Sequence, residues 1–315
     1  MTLTELKYIV AVARERHFGR AADACFVSQP TLSVAIRKLE DELGVQIFER
    51  GSSEVSVTPI GSQIVEQAQR VLEQAGAIKE IAKHGKDPLS GPIKVGVIYT
   101  IGPYLLPMLV RQMIGDAPGM PMLLQENFTV KLLELLRQGE IDVAILADPF
   151  NAQGLVSQPL YDEPFVVAVP SGHPLAGRKS VPASLLKTET MLLLGTGHCF
   201  RDQVLEVCPE LSRYSQASAG IQKTFEGSSL ETIRHMVASG IGITVLPWTA
   251  MPPPSRRESL LRYVPFEDPA PVRRVSIAWR KSYARTAAVD TLRQAVLKLK
   301  LTGVTMLPNE SSIAH

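Results

Sequence analysis

Ser28-Gln29-Pro30-Thr31 is the local feature that most constrains this chain. Ser28 is a good N-cap, and Pro30 is tolerated in a first helical turn whose amides are unpaired anyway. A helix is therefore expected to begin here. Leu32, Ala35, Ile36, Leu39 and Leu43 then make one apolar face, and Gly44 stops the helix at its C′ position. Upstream, Leu6, Ile9, Val10 and Ala13 recur at helical spacing. A short second helix is expected over about Arg20 to Cys25, where Ala21 and Ala22 allow close approach. Downstream, Val45 and Ile47, then Val55 and Val57, alternate as strand residues around Arg50-Gly51-Ser52-Ser53, which reads as a hairpin or wing.

Two helices joined by a tight turn, the second opening with small hydrogen-bonding residues, is the helix-turn-helix arrangement. Its second helix lies in the major groove with its N-terminal end at the base edges. Ser28, Gln29, Pro30, Thr31 and Ser33 occupy that end. Glutamine can pair with adenine in two places, and serine and threonine reach phosphates or base edges. Arg37, Lys38 and Arg50 are placed to reach phosphates. An ordinary capped helical bundle would carry the same spacing. Charge does not separate the two readings, because residues 1–60 hold seven Lys or Arg against eight Asp or Glu.

The order of the motifs is more specific than their periodicity. Phe18-Gly19-Arg20-Ala21-Ala22, Ser28 to Ser33, Ile36-Arg37-Lys38-Leu39-Glu40, Leu43-Gly44, Phe48-Glu49-Arg50 and Thr58-Pro59-Ile60-Gly61 resemble the winged helix-turn-helix of LysR-type transcriptional regulators. The resemblance implies a DNA-binding domain over residues 1–58.

Residues 59–90 are expected to form a linker helix and hinge. Thr58 caps the helix and Pro59 fits its first turn. Ile64, Val71 and Ile78 recur every seven residues, as do Ala68, Ala75 and Ala82, giving an alternating seam of large and small residues. Such a seam serves a helix-helix dimer contact or lies on its own domain. The family resemblance implies the dimer. A dimer presents two recognition helices, so the DNA partner is expected to be a quasi-palindromic double-stranded site. The stretch from Gly85 to Pro92 (Gly85-Lys86-Asp87-Pro88-Leu89-Ser90-Gly91-Pro92) reads as a hinge.

Residues 91–305 alternate strand and helix. Strands are expected at Ile93–Ile98, Met122–Glu126, Ile141–Leu146, Phe165–Pro170, Met191–Leu194, Ile243–Leu246 and Val275–Trp279. Helices are expected at Tyr104–Gln112, Val130–Gln138, Leu230–Ala238 and Ala287–Leu299. This is the grammar of a parallel sheet with crossovers. The fold class is thus a multidomain mix of α+β and α/β. A winged helix-turn-helix and long linker helix precede a two-subdomain regulatory domain of periplasmic-binding-protein type. The family pattern implies subdomains at 91–162 plus 269–305 and at 163–268, with a C-terminal tail at 306–315 and a sensing cleft between the subdomains. Ser228-Ser229-Leu230-Glu231-Thr232 and the run Ala238 to Pro247 also resemble the family's effector domain.

Composition sets outer limits. The chain has 315 residues, 45% hydrophobic and 20% charged, enough to bury a real core in about two domains. A net charge of +2 points to neither a polyanion nor a membrane surface. Charges interrupt the apolar residues of the first twenty positions, so no secretory signal is read there. No apolar run approaches the ~18–20 residues of a spanning helix. A soluble cytoplasmic protein with no membrane partner is expected. Its three cysteines should by default stay reduced.

The chemistry concentrates in Gly195-Thr196-Gly197-His198-Cys199-Phe200-Arg201-Asp202-Gln203, with Cys208 beyond. Cys199 should open a short helix, where the positive helix end and the neighbouring His198 and Arg201 favour thiolate, the form a peroxide oxidises. Cys208 precedes Pro209, which cannot continue the helix. Nine residues on a helix rise ~13.5 Å, whereas a disulfide needs Cα atoms within about 7 Å. The helix and a Cys199–Cys208 bond therefore exclude each other. Two unrelated buried thiols remain the alternative at this point.

The Gly197 to Gln203 segment followed by Cys208 resembles the redox motif of peroxide-sensing LysR-type regulators. The likeness runs nearly end to end, including Thr100-Ile101-Gly102-Pro103-Tyr104-Leu105-Leu106-Pro107 and Leu160-Tyr161-Asp162-Glu163-Pro164-Phe165. The resemblance implies that hydrogen peroxide oxidises Cys199 and that Cys208 resolves it as a disulfide. It implies a sensor pocket of Thr100, Thr129, His198, Arg201 and Asp202. It also implies a homo-tetramer that activates antioxidant defence genes through RNA polymerase. Residues 209–227 depart from that pattern.

Other candidates read as structural. Cys25 is expected as a small buried hydrophobe in the second helix. The histidines show no ligand spacing with cysteine beyond the adjacent His198-Cys199, so no metal and no cofactor are expected. Trp248 and Trp279 read as core, and Pro252-Pro253-Pro254 with Arg256 and Arg257 as an exposed crossing loop. A metabolite-sensing regulator of the same family, a thiol peroxidase and a solute-binding protein are the competing functions. The reading that the start lacks a secretory signal argues against the last.

Overall fold

The computed structural model describes residues 1–50, 55–84, 89–208, 229–252 and 260–308. It divides into two compact units, Met1–Asp87 with Ser282–Ala284, and Pro88–Lys281 with Arg285–His315.

In the first unit, α1 (Leu3–Glu15) starts with a reciprocal cap. Thr2 Oγ1 accepts from the Glu5 amide at 3.2 Å and Glu5 Oε2 accepts from the Thr2 amide at 2.7 Å. Leu6, Ile9 and Val12 are buried, while the expected Val10 and Ala13 are half-buried at the flank. α2 (Phe18–Ala24) begins two residues before the expected Arg20. The reason is that His17 Nδ1 accepts from the Gly19 and Arg20 amides at 3.1 and 3.2 Å. α3 (Gln29–Leu43) is capped by Ser28, whose hydroxyl accepts from the Thr31 amide, and Gly44 ends it at φ +67°. Leu32, Ile36 and Leu39 fill the core. Leu43 lies past the end of that face and is exposed, contrary to expectation.

The wing pairs β1 (Phe48–Arg50) antiparallel with β2 (Val55–Val57). Val45 and Ile47 precede the strand rather than join it, because Glu40 Oε1 accepts from the Ile47 and Phe48 amides at 2.8 and 3.1 Å. The expected wing tip at Gly51-Ser52-Ser53 lies outside the described residues. α4 (Pro59–His84) is capped by Thr58 Oγ1, which accepts from the Gly61 amide at 2.8 Å. A side chain at Gly61 would collide with the Ile47 carbonyl oxygen, so the chain needs glycine there. The seam divides along its length. Ile64 and Ala68 pack on the unit's own core, whereas Val71 and Ile78 are exposed. The hinge residues 85–88 lie outside the described residues.

The second unit is built on a sheet whose strands run β10-β6-β9-β5-β3-β4. β3 (Ile93–Ile98), α5 (Gly102–Asp116), β4 (Met122–Asn127), α6 (Thr129–Arg137) and β5 (Val143–Ala147) follow the expected alternation, with β3 parallel to both β4 and β5. β6 (Leu155–Pro170) is one strand serving two sheets. Its first part pairs with β9 (Val272–Arg280) and β10 (Thr305–Met306), its last part with β7 (Thr244–Pro247) and β8 (Leu261–Pro265). The strand expected at Phe165–Pro170 is therefore the far end of a longer one, and the expected crossing near 162 lies within it. Met191–Leu194 makes a single bridge, Met191 to Ile243, and is no strand: its side chains are packed into the core without a ladder.

α7 (Cys199–Val207), α8 (Leu230–Ala238) and α9 (Thr286–Leu297) complete the described α-helices of this unit. Phe200, Val204 and Cys208 from α7 and its cap bury against β6, with Ile233 and Val237 of α8. Trp248 is half-buried against that core, and Trp279 is buried elsewhere in the unit, on β9. Residues 209–228 and 253–259, and the tail from 309, lie outside the described residues, so the divergent segment, Ser228 and the Pro253-Pro254-Arg256-Arg257 loop do too. Among the described residues no helix is long and apolar enough to cross a membrane.

Candidate functional site

Two neighbouring parallel strands deliver one wall of the site. β3 and β4 pair through Ile98 and Asn127, so the residues that follow, Tyr99-Thr100 and Phe128-Thr129, emerge side by side at the carboxyl ends of the strands. This is where α/β sheets place their ligands. The opposite wall is Gly197-His198-Cys199, which reaches it through a left-handed Gly197 at φ +95°. Ile98, Tyr99, Thr100, Asn127, Phe128, Thr129, Gly197, His198 and Cys199 together line a cavity. The volume it leaves to a water-sized molecule is about 10 Å³, close to the minimum that holds one water.

Its polar groups are unevenly satisfied. Thr100 Oγ1 accepts from Arg273 Nη1 at 3.0 Å, and Arg273 Nη2 donates to the Thr100 carbonyl at 3.0 Å. The Thr100 hydroxyl proton is thereby left to donate elsewhere. Arg273 Nε donates to Glu163 Oε2 at 2.8 Å, both side chains wholly buried, and Glu163 Oε1 accepts from the Thr249 amide at 2.7 Å. The Arg273 guanidinium also stands 5.2 Å over the ring of Phe200, the residue after Cys199. By contrast, Thr129 Oγ1 and His198 Nε2 are buried with no hydrogen-bond partner among the described residues. Buried groups left so call for an explanation, and a small polar ligand in the cavity is one.

Burial pushes the His198 imidazole below its ordinary pKa. A neutral ring, not a cation, therefore flanks Cys199. Burial thus weakens the support that the neighbouring His198 was expected to give a thiolate. Arg201 and Asp202 do not line the cavity. Two residues along a helix turns a side chain about 200° away, and Arg201 Nη1 instead donates to the Leu194 carbonyl at 2.9 Å. Asp202 is exposed in the first turn of α7. The expected pocket thus comes together in Thr100, Thr129 and His198 beside Cys199, without Arg201 and Asp202.

Both cysteines of the motif are free thiols. Cys199 is the first residue of α7 and half-buried. Cys208 is its C-cap, 2% exposed, with Sγ donating to the Ala183 carbonyl at 3.7 Å. A full helix separates them. α7 is further tied by Gln203 Nε2, which donates to the Asp148 carbonyl at 2.9 Å. Sequence reasoning missed Tyr99, Phe128, Arg273 and Glu163. Tyr99 and Phe128 each precede a threonine it did identify, so the adjacency was the available signal. Nothing local marks an ion pair 110 positions apart. Among the described residues no group of His, Cys, Asp and Glu could hold a metal ion.

On the first unit, Ser28, Gln29, Pro30, Thr31, Arg37 and Lys38 are exposed along the start and outer face of α3, and Ser33 is half-buried. The Ser28 and Thr31 hydroxyls share a hydrogen bond of 2.7 Å. Arg50 is placed at the end of β1. Cys25 is not the buried residue expected. It is half-exposed at the C-cap of α2, next to Phe26, which stands 96% exposed at φ +57°.

Comparison with known proteins bears on both units. The profile described as bacterial regulatory helix-turn-helix protein, lysR family, matches residues 3–62, and that described as LysR substrate binding domain matches residues 86–300. The DNA-binding transcriptional dual regulator OxyR of Escherichia coli K12 is 42% identical over 296 residues, 94% of this chain and 95% of the relative. The structure of full-length OxyR from Pseudomonas aeruginosa, in a cysteine-to-aspartate variant, matches with TM-score 0.78 and 49% identity over 99% of both chains. An H2O2-bound OxyR variant from Corynebacterium glutamicum matches with TM-score 0.62 and 35% identity, over 94% of this chain and 91% of that one.

Proposed function

The chain belongs to the LysR family of bacterial helix-turn-helix regulators, and on that premise we propose that it is a cytoplasmic, peroxide-responsive transcription factor. The observation that carries this reading is the cavity of about 10 Å³ between Cys199, His198, Thr100 and Thr129. Metabolite pockets run to roughly 300–1,000 Å³. A cavity this small leaves room only on the scale of water or peroxide and argues against the metabolite-sensing alternative.

The Thr129 hydroxyl, the free Thr100 proton and neutral His198 Nε2 can hold peroxide against Cys199. The Cys199 sulfur attacks one peroxide oxygen, the O–O bond breaks, and the departing hydroxide leaves as water with the thiol proton. Cys199 is then a sulfenic acid. The Cys208 sulfur next attacks Sγ of Cys199, the S–O bond breaks and a second water leaves. One peroxide is reduced and two thiols are oxidised to one disulfide. The bond requires α7 to unwind, since its ends are ~13.5 Å apart in the helix. Closing a loop of about ten residues is worth ~2.7 kcal/mol in chain-entropy terms, enough to bias a two-state segment.

Ser28, Gln29, Pro30, Thr31 and Ser33 would read a quasi-palindromic site, with Arg37, Lys38 and Arg50 on phosphates. The exposed Val71 and Ile78 of α4 suit pairing with a second copy, and two such pairs make the tetramer. Refolding of the 199–208 segment would change how the tetramer holds DNA and so recruit RNA polymerase at antioxidant genes. The test is to expose reduced protein to micromolar H2O2 and map disulfides by mass spectrometry, alongside a gel shift on the promoters of neighbouring genes. A Cys199–Cys208 crosslink with altered DNA contacts is expected; no crosslink would overturn the reading.

A further inference from the structure

We propose that Phe128, backed by Tyr99, is a specificity-determining lid that admits hydrogen peroxide to Cys199 and excludes organic hydroperoxides. The inference rests on the peroxide-sensing reading and goes beyond it, to which peroxides are sensed. The cavity divides by chemistry. Thr100, Thr129 and His198 supply its buried hydrogen-bonding groups, whereas Phe128, stacked edge-on with the Tyr99 ring, presents only apolar surface. What these rings contribute is shape.

Their packing is mutual. The Phe128 ring lies edge-to-face on His198 at 4.8 Å between centroids and 69°, and on Tyr99 at 5.3 Å and 75°; Tyr99 and His198 are 5.9 Å apart. The three rings therefore support one another, with Tyr99 at the solvent edge and Phe128 between it and His198. The Phe128 backbone is fixed as well, because it caps α6 in an extended conformation and its amide donates to Asn127 Oδ1 at 3.0 Å. On its other face a Cβ added at Gly197 would meet the ring at 3.4 Å, so the ring lies against the segment that carries Cys199. A cavity of about 10 Å³ bounded by such a cluster leaves room on the scale of one water, so anything bulkier than hydrogen peroxide must displace a wall residue. tert-Butyl hydroperoxide brings four carbons more, and Phe128 is among the wall residues they must displace.

The test measures second-order rates of Cys199 oxidation in the full-length reduced protein, by alkylation and mass spectrometry. The oxidants are H2O2, tert-butyl hydroperoxide and cumene hydroperoxide, with free cysteine as the unshielded reference. The wild-type protein is expected to favour H2O2 over both organic peroxides more than free cysteine does. Phe128→Ala should raise the organic-to-H2O2 rate ratio by about tenfold or more, the scale that one or two methylenes produce in a tight pocket. Phe128→Leu, which keeps an apolar contact should the alanine variant not fold, is expected to raise it less. A ratio scores access whatever happens to overall reactivity. Wild-type selectivity equal to that of free cysteine, or an unchanged ratio in the variants, would overturn the lid while leaving peroxide sensing intact. Inertness of the wild-type protein to all three oxidants would overturn the underlying reading and this one with it.

Discussion

Tyr104 on α5 donates a hydrogen bond of 2.9 Å to Glu231 on α8. α5 packs against α9, and α8 against β6 and β7, so one bond ties together elements 127 positions apart in sequence. Burial and the neighbouring Glu231 carboxylate push the phenol's pKa well up, which keeps it a donor throughout the physiological range. Tyr104→Phe is expected to destabilise the unit by about 1–2 kcal/mol, as for a partly buried bond to a charged acceptor. Urea unfolding followed by fluorescence reads this as a lower midpoint.

The Arg273–Glu163 pair is completely buried. Removing one partner strands a charge, which costs roughly 3–5 kcal/mol, while replacing both with apolar residues is far milder. Arg273→Met should therefore lower thermal stability sharply, and Arg273→Met with Glu163→Leu should recover much of it. Calorimetry checks the order. A double variant no better than the single one would show that the Thr100 and Thr249 hydrogen bonds matter more than the charge.

His198 gives a pH dependence with a defined sign. Its folded-state pKa lies below the ordinary value of 6.5 because burial disfavours the charged ring. The unfolded chain therefore binds the proton first, and the stability held above about pH 6.5 is lost as pH falls toward the folded-state value. His198→Asn should flatten that loss. Melting temperatures of both proteins between pH 7.5 and 5 test it.

Cys199→Ser is expected to abolish the peroxide response and leave DNA binding in place. Cys208→Ser should stop at the sulfenic acid or a mixed disulfide, trapped by a dimedone-type reagent. A normal yield of intramolecular disulfide in either variant contradicts the assigned pair.

Thr31→Ala removes a hydroxyl that both bonds the Ser28 cap and faces outward from α3. Operator affinity should fall by about 1–3 kcal/mol, the range of one base contact, with the redox midpoint unchanged. Quantitative gel shifts at fixed salt measure it.

Local chemistry made part of this legible in advance. Ser28, Thr58 and Gly44 act on their own neighbours, so the helix boundaries they set could be read from a few residues. Cys199 and Cys208 were placed at the two ends of α7 for the same reason. β6 was read only at its far end, Phe165–Pro170, where the apolar run is continuous. The strand accommodates Pro159 at a register shift, where no ladder bond is needed. Met191–Leu194 shows the opposite error, an apolar run that fills a core without pairing. The cavity's aromatic wall and the Arg273 anchor depend on contacts between distant segments, and periodicity holds no trace of them. The state of charge of His198 followed from its burial, which adjacency to Cys199 could not reveal.

The burial of Cys208 bears on timing. The first oxidation needs only a small molecule to reach a half-buried sulfur, but the second needs a helix to come apart and a core residue to leave its packing. Between the two lies an interval in which a reductant can still cancel the event. A chain built this way filters by duration. A brief pulse of oxidant is forgotten, and a sustained one is written into the covalent structure.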